Sequence, residues 1–261
     1  MSLNYVRQGE GPPLVLIHGL GGGLVIWEPV MELLARERDV IAVDLPGFGD
    51  SESLPDGTRH SAAEMGRALN AHLESLGVER PHLAGNSLGA WTALEMAADG
   101  NAASVCGISP AGLWRRKLGP RAYNTRKVGR RARGLINAAL RTERGRRRLM
   151  ATTVARPELL TSDEAISWLA AWLDAPAYDD ANDMMRGIPF ERADEIDVPV
   201  TIAWGELDRL VAPPKPERMP PGTRYFTMPD WGHTPTKDDP EGVARVLLEA
   251  SAVAEAVPGT C

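Results

Sequence analysis

Ser87 stands in the run Gly85-Asn86-Ser87-Leu88-Gly89, after the apolar Pro81-His82-Leu83-Ala84 and before Ala90-Trp91-Thr92-Ala93-Leu94-Glu95-Met96-Ala97. That order predicts a strand, a five-residue turn and a helix, with the serine at the apex. A turn this tight excludes bulky residues. Glycines two before and two after the serine let strand and helix cross closely, and the serine is forced into a strained backbone with its hydroxyl exposed at the helix start. A serine held in this way suits attack on an acyl carbon. Three fixed positions recur by chance in many chains, so the rest of the sequence has to agree.

It does so first in its alternation. Strand-like runs fall at Pro12–His18, Asp39–Asp44, the segment before Ser87, Ala103–Ser109, Val198–Trp204 and Thr223–Met228. Helical spacing falls between them, at Trp27–Leu34, at Ser61–Leu76 with Ser61 and Glu64 spaced as in a capping box, after Ser87, and at Glu241–Val253. Short apolar strands separated by helices predict a mostly parallel central sheet flanked by helices on both faces. The alternation fails from Trp114 to about Pro189, where no clear strand is found. The reading is an α/β core over residues 1–113 and 190–261 with a helical cap inserted at 114–189.

A serine acylation site needs a base, an acid to orient it and donors for the oxyanion. Of the five histidines, His233 alone lies on a loop after the final strand, in Asp230-Trp231-Gly232-His233-Thr234. The acid is Asp208, after the penultimate strand in Trp204-Gly205-Glu206-Leu207-Asp208-Arg209, with Glu206 and then Asp230 as competitors. The oxyanion donors are the backbone N–H groups of Leu88, next after the serine, and Leu20 in His18-Gly19-Leu20-Gly21-Gly22-Gly23. That glycine run lacks the spacing of a dinucleotide fingerprint.

In these residues together the chain resembles the α/β-hydrolase superfamily of the cap-bearing kind. The matching motifs are His18-Gly19, Asp44-Leu45-Pro46-Gly47-Phe48-Gly49-Asp50-Ser51, Gly85–Gly89, Gly205 with Asp208, and Gly232-His233. The resemblance implies an eight-stranded sheet, catalysis by Ser87, Asp208 and His233, and no cofactor. Asp44–Ser51 is expected to serve turn structure only. Serine at position 87 sets aside the haloalkane dehalogenase and epoxide hydrolase relatives, which use aspartate there. Ester hydrolysis through an acyl-enzyme on Ser87 is the first reading. Carbon–carbon hydrolysis of a ring-cleavage product is the second: Asn86 and Arg209 fit it, and Thr234 stands where those enzymes carry Trp. Perhydrolases and acyl-homoserine lactone hydrolases rank lower, and a ligand-binding protein without turnover is the last.

A small-molecule substrate with an apolar or aromatic acyl part is expected between core and cap. Trp27, Trp114, Trp168, Trp172, Met184, Met185, Val211 and Trp231 are the candidate lining residues, each also a candidate for plain packing. The start of the chain lacks a basic segment followed by an apolar one, and no apolar run approaches the roughly 18 residues of a membrane span. Cys106 and Cys261 do not suggest a disulfide, which with the absent leader favours the cytoplasm. No Cys/His cluster has metal-ligand spacing, so no metal is expected. Residues 115–150 hold fourteen Arg or Lys and one acid, Glu143: a net +13 in a chain of net −6, which leaves −19 on the remainder. Docking to an anionic surface, an acidic carrier protein or a carboxylate-bearing substrate is one reading, and a solvated helical face is the preferred one. Tyr123 is the only aromatic residue interleaved in the segment, so nucleic-acid binding is not expected.

Overall fold

The computed structural model describes residues 1–114, 118 and 125–255, the backbone alone at 253–255. Cys261, Tyr123 and the cations at positions 115–117 and 121 lie outside the described residues. The strands are β1 (Tyr5–Gln8), β2 (Pro13–Ile17), β3 (Asp39–Val43), β4 (His82–Asn86), β5 (Ser104–Ile108), β6 (Val200–Gly205) and β7 (Arg224–Met228). They form one sheet in the order β1-β3-β2-β4-β5-β6-β7, antiparallel only between β1 and β3. The eight-stranded expectation is therefore corrected to seven strands among the described residues. The edge strand β1 lacks the signal of the others because all four of its residues are exposed.

Period-two alternation explains how the sheet buries both faces. Val15 and Ile17 pack into one core layer with Met65 and Leu69 of α2 (Ala62–Ser75) and Leu94 of α3 (Leu88–Ala98). Leu14 and Leu16 point into the other layer, with Val30 and Leu34 of α1 (Glu28–Leu34) and Val243 and Leu247 of α9 (Pro240–Glu255). Truncating any one of these leucines to Ala costs about 2–5 kcal/mol. Ser61 caps α2 through a bond from Glu64 N to its Oγ, at 3.1 Å.

Between β5 and β6 the described residues form helices, turns and loops. The helices are α4 (Thr125–Arg131), α5 (Arg133–Leu140), α6 (Glu143–Leu149), α7 (Ser162–Asp174) and α8 (Tyr178–Gly187). A reciprocal capping box of Thr161 and Glu164 starts α7. Its other end is closed by a buried arginine. Arg126, 1% exposed, donates to the carbonyls of Trp172 (2.9 Å), Leu173 (2.9 Å) and Ala175 (2.6 Å). It also pairs with Asp179 at 3.0 Å and lies over the Tyr178 ring. A cation at the carboxyl end of a helix satisfies orphan carbonyls and complements the helix dipole. Part of the basic segment's charge thus works inside the molecule.

The sheet order turns at β2 and β4. The chain leaves β2 toward β3 on one side, and β4 begins the run β5-β6-β7 on the other. Ligands of open α/β sheets bind outside the carboxyl ends of the strands at such a reversal. The segments that leave β2 and β4 there carry Gly19-Leu20 and Ser87.

Candidate active site

Ser87 has φ 54° and ψ −115°, a left-handed conformation that is costly for a non-glycine residue. Its neighbours force it. A Cβ on Gly89 would lie 2.2 Å from the Ile17 carbonyl oxygen, and one on Gly85 2.3 Å from the Gly89 carbonyl carbon. Hydrogen bonds fix the strained residue on both sides: Ser87 N–H donates to the Ile108 carbonyl, and the Ser87 carbonyl accepts from Trp91 and Ala111.

The base and the acid arrive on two loops laced to each other. Leu207 N–H donates to the Trp231 carbonyl at 3.0 Å, and Glu206 N–H to the Met228 carbonyl at 3.0 Å. His233 Nδ1 lies 2.8 Å from Asp208 Oδ2, with both side chains buried. The carboxylate can only accept there, so Nδ1 carries the proton and Nε2 is left free as a base. The other oxygen, Asp208 Oδ1, accepts from the Leu210 and Val211 amides at 2.8 and 3.0 Å. Burial pushes the Asp208 carboxyl up, but the His233 bond, the His233 charge and the two amides outweigh it and hold it below its ordinary value. The competitors fall away: Glu206 and Asp230 are exposed, and Glu206 accepts from Thr227 instead.

Sequence reading missed what ties the His233 loop to the elbow. Asn86 Nδ2 donates to the His233 carbonyl at 2.7 Å and the Ile108 carbonyl at 3.2 Å, while its Oδ1 accepts from the Thr234 hydroxyl at 3.1 Å. Asp238, also buried, accepts from Gly232 N and Ala155 N through Oδ2, both at 2.9 Å, and from Arg156 N through Oδ1 at 2.8 Å. Thr234 N–H donates to the Thr153 carbonyl at 2.8 Å. The His233 loop is thereby joined to the segment after α6 as well as to the elbow. Apart from the Gly232–Asp238 bond, six residues long, these contacts join residues far apart in the chain and have no spacing signature.

Gly19 packs against Ser87 (its Cβ position lies 3.1 Å from the serine Cβ), which brings the Leu20 segment over the nucleophile. The buried His18 holds that segment. Its Nε2 accepts from Leu45 N at 3.0 Å, so Nδ1 carries the proton and donates to the Gly19 carbonyl at 2.8 Å. Burial lowers the His18 pKa, against the nearby Asp44 charge, and the ring is neutral. The Leu20 and Leu88 amides have no hydrogen-bond partner among the described residues. Asp44 accepts from Asp50 N at 3.2 Å within its turn, and from Leu24 N and Asn4 Nδ2, each at 2.7 Å, outside it. Cys106 is buried and free, and burial pushes its thiol up to about 12, which removes it as a nucleophile.

A cavity of about 700 Å³ is lined by Leu20, Ser87 and His233 together with side chains of the helices between β5 and β6. Trp114, Trp168, Trp172, Met185 and Val211 line it as expected. Three other expectations are corrected. Trp27 and Trp231 are fully buried in the α1/α9 core layer, where Trp231 Nε1 donates to Asp239. Met184 misses the cavity because α8 turns Tyr178, Asn182, Met185 and Arg186 toward it, at helical spacing. Among the described residues no group of three His, Cys, Asp or Glu could hold a metal ion, and no helix is long and apolar enough to cross a membrane.

Comparison with known proteins gives the same outline. Residues 14–246 match the sequence profile described as "Alpha/beta hydrolase family". The dihydrolipoyllysine-residue acetyltransferase component of the acetoin cleaving system of Pseudomonas putida is 30% identical over 92% of this chain, which spans only 64% of that relative. A Shigella flexneri protein named for carbamate hydrolysis, RutD, is 28% identical over 97% of this chain and 96% of its own. A thermophilic esterase of Thermogutta terrifontis superposes with a TM-score of 0.68 at 23% identity, over 97% of this chain and 93% of that one.

Proposed function

We propose a serine hydrolase of carboxylic esters, on the premise that the chain belongs to the alpha/beta hydrolase family. The observation that carries the proposal is a strained Ser87 on the same cavity as a His233 ring paired with Asp208 at 2.8 Å. Ser87 Oγ attacks the acyl carbon of the substrate and its proton passes to His233 Nε2. Asp208 keeps the ring in the required tautomer and stabilises the imidazolium. The N–H groups of Leu20 and Leu88 receive the developing oxyanion. His233 then protonates the departing alkoxide, the acyl-enzyme forms, and a water deprotonated by His233 releases the acid and restores Ser87.

Helices α4–α8 act as a cap over the strand tips, with residues 114–189 as one module. The apolar Trp114, Trp168, Trp172 and Met185 support an apolar or aromatic acyl group as the occupant. The relative named for carbamate hydrolysis makes carbamates, whose cleavage is also acyl transfer to water, the second substrate class to try.

The test is hydrolysis of p-nitrophenyl esters of increasing acyl length, with the corresponding carbamate beside them and Ser87→Ala as control. Turnover that vanishes in the variant is expected, and the preferred length sizes the pocket. Turnover surviving in Ser87→Ala would sink the mechanism. Folded protein that cleaves a ring-cleavage diketone but no ester would move the assignment to carbon–carbon hydrolysis.

A further inference from the structure

The outer surface of α4–α6 carries both exposed cations and exposed aliphatic side chains. Arg131, Arg141, Arg144 and Arg148 are exposed and have no side-chain partner among the described residues. Val128 and Leu135 on the same stretch are 66% and 79% exposed. The two helices run on through Ala132, whose N–H donates to the Val128 carbonyl and whose carbonyl accepts from Ile136. Val128, Arg131 and Leu135 are thus spaced by three and four residues and share one face. The opposite face turns inward, where Ile136 and Leu140 line the cavity.

Helices α4 and α5 thus stand between this surface and the cavity. Leu149 and Leu210 line the cavity and are also exposed, Leu210 at 54%. A helix with aliphatic side chains and unpaired cations on its outer face has the make-up of one that rests in a lipid interface. Phosphate headgroups pair with the arginines while Val128 and Leu135 enter the acyl boundary. The net +13 of residues 115–150, in a chain of net −6, would draw this side of the molecule toward an anionic membrane.

We propose that α4–α6 dock the protein peripherally on an anionic phospholipid bilayer, with the mouth of the cavity against the membrane. Docking does not depend on the hydrolase reading. Its use does rest on that reading: apolar esters dissolved in the bilayer would reach Ser87 past Leu149 and Leu210 without crossing water.

The experiment is co-sedimentation of the full chain with phosphatidylglycerol-containing and pure phosphatidylcholine vesicles at low and high salt. Binding to the anionic vesicles is expected, at least about tenfold tighter than to the neutral ones and weakened by salt. Arg131→Glu with Arg144→Glu, and separately Val128→Asp with Leu135→Asp, should each lower it about tenfold. Both variants should hydrolyse a short soluble ester at the wild-type rate, which also shows that they are folded. Ser87→Ala should bind vesicles like the wild type, so a failed esterase reading leaves this measurement intact. No vesicle binding, equal binding to both vesicle types, variants that bind like the wild type, or retention only on heparin or an acidic protein would each overturn the proposal.

Discussion

The strand-tip region and the helical insertion are held by different means. At the tips, backbone geometry fixes the nucleophile and laces the Asp208 and His233 loops, through the positive φ of Ser87 and the crossing at Gly85 and Gly89, with the Asn86 and Asp238 side chains added to it. In the insertion side chains fix helices to one another and to the core. Arg126 closes α7, and Asp180 of α8 pairs with Arg59 and with the backbone and ring of His60 in the core. Backbone constraints admit very few alternative residues, whereas side-chain clamps can be exchanged. On the proposed function, the division would be chemistry at the strand tips and recognition in the insertion.

Substitutions at the tips should abolish rate and spare stability. Ser87→Ala should cut kcat/KM on the best ester by about 10⁴-fold or more while leaving the unfolding midpoint within a degree or two. Asp208→Asn should cost about 10³–10⁴-fold, since the wrong tautomer then faces the serine. Asn86→Ala frees the His233 carbonyl and the Thr234 hydroxyl, and should cost on the order of 10–10²-fold in kcat with KM little changed. A loss confined to KM would place Asn86 with the insertion and blur the comparison.

Substitution in the insertion should do the reverse. Arg126→Ala removes the donor of the Trp172 and Ala175 carbonyls, Leu173 keeping its bond from Arg130, and should destabilise by about 2–3 kcal/mol, a fall in Tm of several degrees. Turnover of the shortest ester should stay near wild type while selectivity among long acyl chains flattens. A kcat loss as large as that of Asn86→Ala would break the division. The smallest effect is one of pH. Asp208 is held below its ordinary value in the folded state, so its pairing contributes stability above the ordinary aspartate range, and that contribution is lost as pH falls through the depressed value. The Tm difference between wild type and Asp208→Asn should be constant near neutrality and shrink only below about pH 4.

The sequence made the strand tips more legible than the insertion. Ser87 announces itself through glycines at fixed offsets, and His233 and Asp208 through their places after the last two strands. These are local signals of steric necessity. Asn86 was read as a family resemblance, yet what it does depends on meeting residues 233 and 234, which only folding brings close. The count of cations in 115–150 could not distinguish Arg126, buried against carbonyls, from Arg144, free in solvent. Tryptophan was ambiguous for the same reason: Trp231 and Trp172 look alike in sequence, and only the packing sends one into the core and the other to the cavity.

Asp238 has a consequence for dynamics. Its carboxylate gathers amides from residues 155, 156 and 232. The Ala155 and Arg156 amides lie side by side on the insertion, so hydrogen exchange should report those two as opening together when the insertion parts from Asp238, with Gly232 protected for longer. Breathing of the insertion that frees residues 155 and 156 strips Asp238 of two of its three amide donors, while Gly232 and Asn86 still hold the loop that carries His233.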